Sequence, residues 1–296
     1  MLPALLFFAS LVNDVRGFLA HHDPAAAERA VRAYHAQSGS TSEYAAALSW
    51  LARGALDARE YDRAGAYAAE TRKIALDLLR TRKLDADAWL PTALGASIEV
   101  QAQVLKARGE VPEALAFLRD QLKTYGATSL HERIQKDINL IDLEGKPAPP
   151  LDERQWLGPR PPTLESLRGH PVLLFFWAHW CPDCKAEAPL IASLWKTYGP
   201  KGLAVIGPTR YYGYRARGED ATAAVEKSYI DSVRGKYYAA LAAMPVPIGA
   251  ENFERYGAST TPTLVLIDAA GVVRLYRPGT ASEGDLAARI ETLLRR

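Results

Sequence analysis

Cysteine is nearly absent from this chain: two in 296 residues. Two cannot build a disulfide framework, nor by themselves a four-cysteine zinc site. A charge surplus is missing too. Lys and Arg number 36 against 34 Asp and Glu, a formal net charge of +2, so no global basic field points to nucleic acid. The apolar run at the amino end, Leu2 to Val12, has eleven residues, whereas a membrane-spanning helix needs about 20. Phosphate-binding glycine loops, a serine-hydrolase elbow and the His-Glu-x-x-His metal motif are also absent. What remains is an ordinary globular balance, 48% apolar and 24% charged, over a length that suits two domains.

The amino-terminal run has the length of a signal-peptide h-region. No Lys or Arg precedes it, and no A-x-A site follows it. Two readings of residues 1–12 therefore stand side by side: an export signal, or the first buried helix of a helical region. His21-His22-Asp23 before Pro24 reads as a helix end rather than a metal site.

Residues 1–141 are predicted to be a helical domain. Residues 25–70 hold 16 alanines, and small residues at helical spacing let helices pack closely. Ala27 before Val31 and Tyr34, Ala64 after Tyr61, and Ala114 after Val111 sit in similar local patterns. These stretches resemble tetratricopeptide repeats, whose period is about 34 residues of helix–turn–helix. The first spacing is close to that period and the second is longer. A generic helical bundle is the alternative. Only the repeat reading predicts a concave face for a partner.

Residues 142–162 read as a Pro-rich linker. Pro147, Pro149, Pro150, Pro159, Pro161 and Pro162 lie there, a density that excludes helix interiors. From 163 to 296 an α/β domain with a mixed central sheet is predicted. Val172–Phe176, Leu203–Ile206, Leu264–Ile267 and Val272–Tyr276 are short apolar runs suited to strands. Pro182 to Tyr198 and Asp285 to Leu294 read as helices, and residues 208–245 as a helical insertion. Within it, Arg210 to Arg217 interleaves tyrosine with arginine. This segment reads as a mobile surface loop, with substrate contact as the second reading.

Both cysteines fall in Trp180-Cys181-Pro182-Asp183-Cys184, between a predicted strand and a predicted helix. A thiolate is the attacking species in disulfide exchange, and a helix N-terminus stabilises negative charge. Cys181 at the N-cap and Pro182 at the first helical position fit that need. Cys184 returns to the same face three residues later. Cys181 is thus expected to be the exposed nucleophile and Cys184 the shielded resolving thiol. Glu187 follows Cys184 by three and is a candidate base for its proton; a solvated helix carboxylate is the alternative. Thr261-Pro262 precedes a strand, and a cis bond there would bring the Thr261 backbone beside the sulfurs. Trp180 is expected to pack against the site or in the core. His179 either stabilises a thiolate when protonated or sits at the rim. Asp183 disfavours a neighbouring thiolate, which tilts the pair towards a reductant.

These residues, with GKPAPPL at 145–151, LRGHPVLLFFWAHWCPDCKAEAP at 167–189 and STTPTLVLIDAAGVV at 259–273, resemble exported thioredoxin-fold thiol–disulfide oxidoreductases. That group includes the cytochrome-maturation reductants, within the alkyl hydroperoxide reductase–thiol antioxidant superfamily. The resemblance covers residues 144–296. It implies the thioredoxin fold, dithiol chemistry at Cys181 and Cys184, the cis bond at Pro262 and a role for Glu187. It also implies an extracytoplasmic, periplasmic setting, with the cytoplasm as the alternative. The redox-active disulfide takes the place of a cofactor, and no metal is expected. A peroxiredoxin would need a distant partner cysteine, which this chain lacks. The expected partners are a disulfide-bearing protein and a separate dithiol donor, with no nucleic acid and no membrane span. Two functions follow: an enzyme that reduces or exchanges the disulfides of partner proteins, with the helical half recruiting them, or a scaffold in which that half carries the role.

Overall fold

A computed structural model describes residues 10–295. The chain divides into two compact units between Asp137 and Ile138. Most of the Leu2–Val12 run lies outside the described residues. Its last two, Leu11 and Val12, open the first helix and are buried.

The first unit is helical: α1 (Leu11–Ala20), α2 (Pro24–Ser38), α3 (Ser42–Asp57), α4 (Tyr61–Leu79), α5 (Leu90–Ala107), α6 (Val111–Tyr125) and the first half of α7 (His131–Asp142). Local chemistry sets several starts. Asp23 accepts the Ala26 N–H and Thr41 the Tyr44 N–H, each satisfying a donor the helix cannot. Ala27, Ala64 and Ala114, the small residues of the three similar stretches, lie in α2, α4 and α6 and are all buried. Ala52, Ala55, Ala64 and Ala68 pack with Val100 and Val104 in one cluster. Alanine at these contacts permits close helix approach.

The second unit contains β1 (Trp156–Leu157), β2 (Val172–Phe176), α8 (Pro182–Tyr198), β3 (Ala204–Ile206), α9 (Ala223–Tyr237), β4 (Val246–Pro247), α10 (Ala250–Tyr256), β5 (Thr263–Ile267), β6 (Val273–Pro278) and α11 (Glu283–Leu294). The main sheet runs β3-β2-β5-β6. Only β2 and β3 are parallel, joined through α8. This is the mixed thioredoxin-like sheet. Both its faces are covered, which explains the unbroken apolar strands. Leu173 and Phe175 of β2, with Leu264 and Leu266 of β5, pack on one side against α8 and α11. Leu174 and Phe176, with Val265 and Ile267, pack on the other against Phe253 and Tyr256 of α10.

The Pro-rich stretch belongs to this second unit. Gly145 N–H donates to Val273 O, Ala148 N–H to Gly271 O and Tyr256 Oη to Pro149 O. Leu143 and Leu151 enter one core cluster and Leu157 the other. Leu143 ahead of the prolines and Leu151 and Leu157 among them give the extended chain apolar anchors, and β1 pairs with β4, which directly follows the insertion. The insertion itself is a loop followed by α9 and a short 3-10 turn at Ala239–Leu241.

Candidate functional site

The site forms where β2 ends and α8 begins. Trp177 fixes this junction: its Nε1–H donates to Gly207 O at 2.9 Å, and its carbonyl accepts from Thr209 Oγ1 at 2.9 Å. Cys181 is the N-cap of α8 with Pro182 behind it. Cys181 and Cys184 are joined as a disulfide, with Cα atoms 5.4 Å apart. The Cys184 N–H points at Cys181 Sγ, 3.0 Å away. In the reduced protein that donor and the helix terminus favour a negative sulfur at Cys181.

The Thr261–Pro262 bond is cis. Thr261 O lies 3.3 Å from Cys181 Sγ, so the structure brings the Thr-Pro pair and the sulfurs together. The Pro262 carbonyl in turn accepts from Gly279 N–H at 2.7 Å. The Thr261 hydroxyl is buried and has no hydrogen-bond partner among the described residues.

Glu187 is 6% exposed rather than solvated. Its Oε1 accepts the Ala281 N–H at 3.0 Å. Burial pushes its pKa above the ordinary glutamate value, and the nearby Asp183 charge adds to this. A carboxyl raised in this way is a stronger base for a neighbouring thiol.

Three expectations are corrected. Cys181, expected to be exposed, is only 2% exposed in the disulfide state. Its sulfur turns inward to the helix N-terminus and the Thr261 carbonyl. Trp180 is not core: it is 46% exposed, its ring edge-on to Tyr212 at 5.5 Å. His179 is not at the rim: it is 1% exposed, with Nε2 3.3 Å from Glu226 Oε1. The rings of Tyr212, Tyr214 and Tyr229 each meet it edge-on at about 5.5 Å. Burial holds the His179 pKa below its ordinary value against the pull of the Glu226 charge, which favours neutral imidazole at neutral pH.

Glu226 is the residue that sequence reasoning missed. It is completely buried on the α9 stripe shared with Ile230 and Val233. Its oxygens accept Tyr212 N–H at 2.6 Å and Gly213 N–H at 2.9 Å. The signal was present: a glutamate stands at an apolar position of an otherwise periodic helix. The 210–217 segment is therefore pinned by its backbone, not a free loop.

The model of the AhpC/TSA family matches residues 135–210. The chain is similar to protein DipZ of Mycobacterium bovis, 34% identical over 148 residues, 47% of this chain and 19% of that protein. It is also similar to the thiol:disulfide interchange protein DsbE of Xylella fastidiosa, 31% identical over 145 residues, 48% of this chain and 64% of that protein. The chain thus spans less than two thirds of either relative. Among solved structures, a putative thiol:disulfide interchange protein DsbE from Chlorobium tepidum matches with a TM-score of 0.39 and 24% identity, over 51% of this chain and 97% of that one.

Proposed function

We propose that this chain, of which residues 135–210 match the model of the AhpC/TSA family, is a thiol–disulfide oxidoreductase acting on partner proteins. The observation that carries this reading is the Cys181 sulfur at the N-cap of α8, 3.0 Å from the Cys184 N–H and 3.3 Å from the Thr261 carbonyl. In the reduced protein, the Cys181 thiolate attacks one sulfur of a partner disulfide. The partner's other sulfur leaves as a thiolate and takes up a proton. Cys184 passes its proton to Glu187 and attacks Cys181 Sγ, which releases the second partner thiol. Two electrons have then moved to the partner, and Cys181–Cys184 is left as the disulfide seen here. A separate dithiol donor restores it, because the chain has no third cysteine.

The direction proposed is reduction. Asp183 stands in the first turn of α8, where its charge disfavours a neighbouring thiolate. A neutral His179 supplies no opposing charge. The proposed setting is extracytoplasmic, in keeping with the exported group the sequence resembles. Among the described residues no helix is long and apolar enough to cross a membrane. The helical half is proposed to recruit the partner.

Cys181→Ser is expected to abolish reduction of insulin disulfides. Cys184→Ala is expected to accumulate mixed disulfides, detected as reductant-sensitive adducts on non-reducing gels. Insulin reduction by Cys181→Ser at the wild-type rate would end this assignment.

A further inference from the structure

The carboxylate of Glu226 does more than satisfy one buried histidine. It accepts from two consecutive backbone amides, Tyr212 and Gly213, and from His179 Nε2. Because it faces donors, the bond to His179 places the imidazole proton on Nε2. Gly213 has φ +83°, a conformation a side chain strains, so the chain turns here with both amides directed at one carboxylate. The loop is closed behind them by Ala221 N–H to Gly213 O and Arg215 N–H to Glu219 O. Its base carries Tyr212 to the edge of Trp180, and Trp180 is the residue bonded to Cys181. The exposed indole thus stands one residue before the reacting cysteine.

We propose that Glu226 is a positioning residue for partner recognition. It holds the 210–214 loop so that Tyr212 and Trp180 form an aromatic wall beside Cys181, and this wall binds the polypeptide next to the partner's disulfide. The inference rests on the disulfide-exchange reading. The occupant is an extended protein segment with an apolar side chain beside its cysteine. A small disulfide has no such segment to offer the wall.

The test uses the full chain with insulin and with hydroxyethyl disulfide as substrates. Glu226→Gln keeps the size of the side chain but turns an amide nitrogen towards one of the backbone N–H groups, so one of the two loop bonds is lost. The expected result is an insulin KM raised about tenfold with kcat within about twofold, and an unchanged Cys181–Cys184 reduction potential. A tenfold affinity change is the scale of one such contact. Tyr212→Ala is expected to raise the insulin KM alike, and the double variant no further than either alone, because both act on one wall. Should Glu226→Gln fail to fold, Tyr212→Ala carries the test by itself. An unchanged insulin KM in Tyr212→Ala overturns the proposal. So does a Glu226→Gln variant whose potential shifts while KM stays fixed, since Glu226 would then act on the sulfurs. A wild-type protein that reduces neither substrate defeats the exchange reading itself, a result distinct from either of these.

Discussion

Replacing Glu187 with glutamine separates the two halves of the exchange. Glutamine keeps an oxygen to accept the Ala281 N–H, now 3.0 Å from the carboxylate, so the local fold is retained. What is lost is the proposed base, three residues beyond Cys184 on α8. General bases typically contribute ~100- to 10,000-fold to a proton-transfer step. Glu187 has a pKa already raised by burial, and at the lower end of that range its loss slows the attack of Cys184 about 100-fold. That is about 2.7 kcal/mol of barrier at ~1.36 kcal/mol per decade. The attack of Cys181 on the partner involves no proton from Cys184 and is expected to stay within about twofold. Rapid acid quenching of a single turnover resolves the two steps, because the mixed disulfide accumulates between them. The pH dependence follows from the same shift. The base form of Glu187 is lost as pH falls through its raised pKa, so the wild-type release rate declines there. The glutamine variant lacks that limb and keeps only the titration of the thiol. Equal release rates in the two proteins across that range would refute the role given to Glu187.

Three further outcomes are expected. Glu187 also couples stability to pH. Its folded-state pKa lies above its ordinary 4.5, so the folded protein holds that proton more tightly than the unfolded chain. The contribution is fully present below the unfolded value and is lost as pH rises through the folded one. The melting temperature of the wild type minus that of Glu187→Gln should therefore increase on acidification through this window, and a constant difference would show that burial does not act on this group. Asp183→Asn should make the couple more oxidising, by roughly 15–30 mV from a unit charge near Cys181 at surface-like screening, measured by equilibration with glutathione; a fall in potential would reverse the assignment of direction. Trp177→Phe removes the donor to Gly207 O and leaves a buried carbonyl unpaired, at a cost of about 1–3 kcal/mol in denaturant unfolding. A loss below about 0.5 kcal/mol would mean that this bond does not hold the strand-to-helix junction.

The second half of the chain was largely legible because its strands are buried on both faces. Val172–Phe176 and Leu264–Ile267 could be read as continuous apolar runs, and both fall on observed strands. Pro182 marked the first residue of α8, and Cys181 fell at its cap. The surroundings of the disulfide were less legible, since they depend on contacts across long sequence separations. His179 meets Glu226 from 47 residues away, and nothing local to either residue announces the other. Of the two readings of Trp180, packing against the site or in the core, the core one fails because the turn into α8 leaves the indole exposed. The six prolines of 145–162 indicated extended chain correctly, but not that Leu143, Leu151 and Leu157 would anchor that stretch in the second unit. In the helical half, alanine spacing located buried positions in α2, α4 and α6 while saying little about how the helices are arranged, because a small residue fits many packings.

The central claim is that Cys181 and Cys184 cycle between dithiol and disulfide in the course of function. The reduction potential of this couple, measured on the full chain by equilibration with glutathione or dithiothreitol and read by thiol alkylation, tests it most directly. The account predicts a single two-electron couple between roughly −270 and −120 mV, towards the thioredoxin end. A pair that stays oxidised to below about −300 mV, as structural disulfides do, would contradict it.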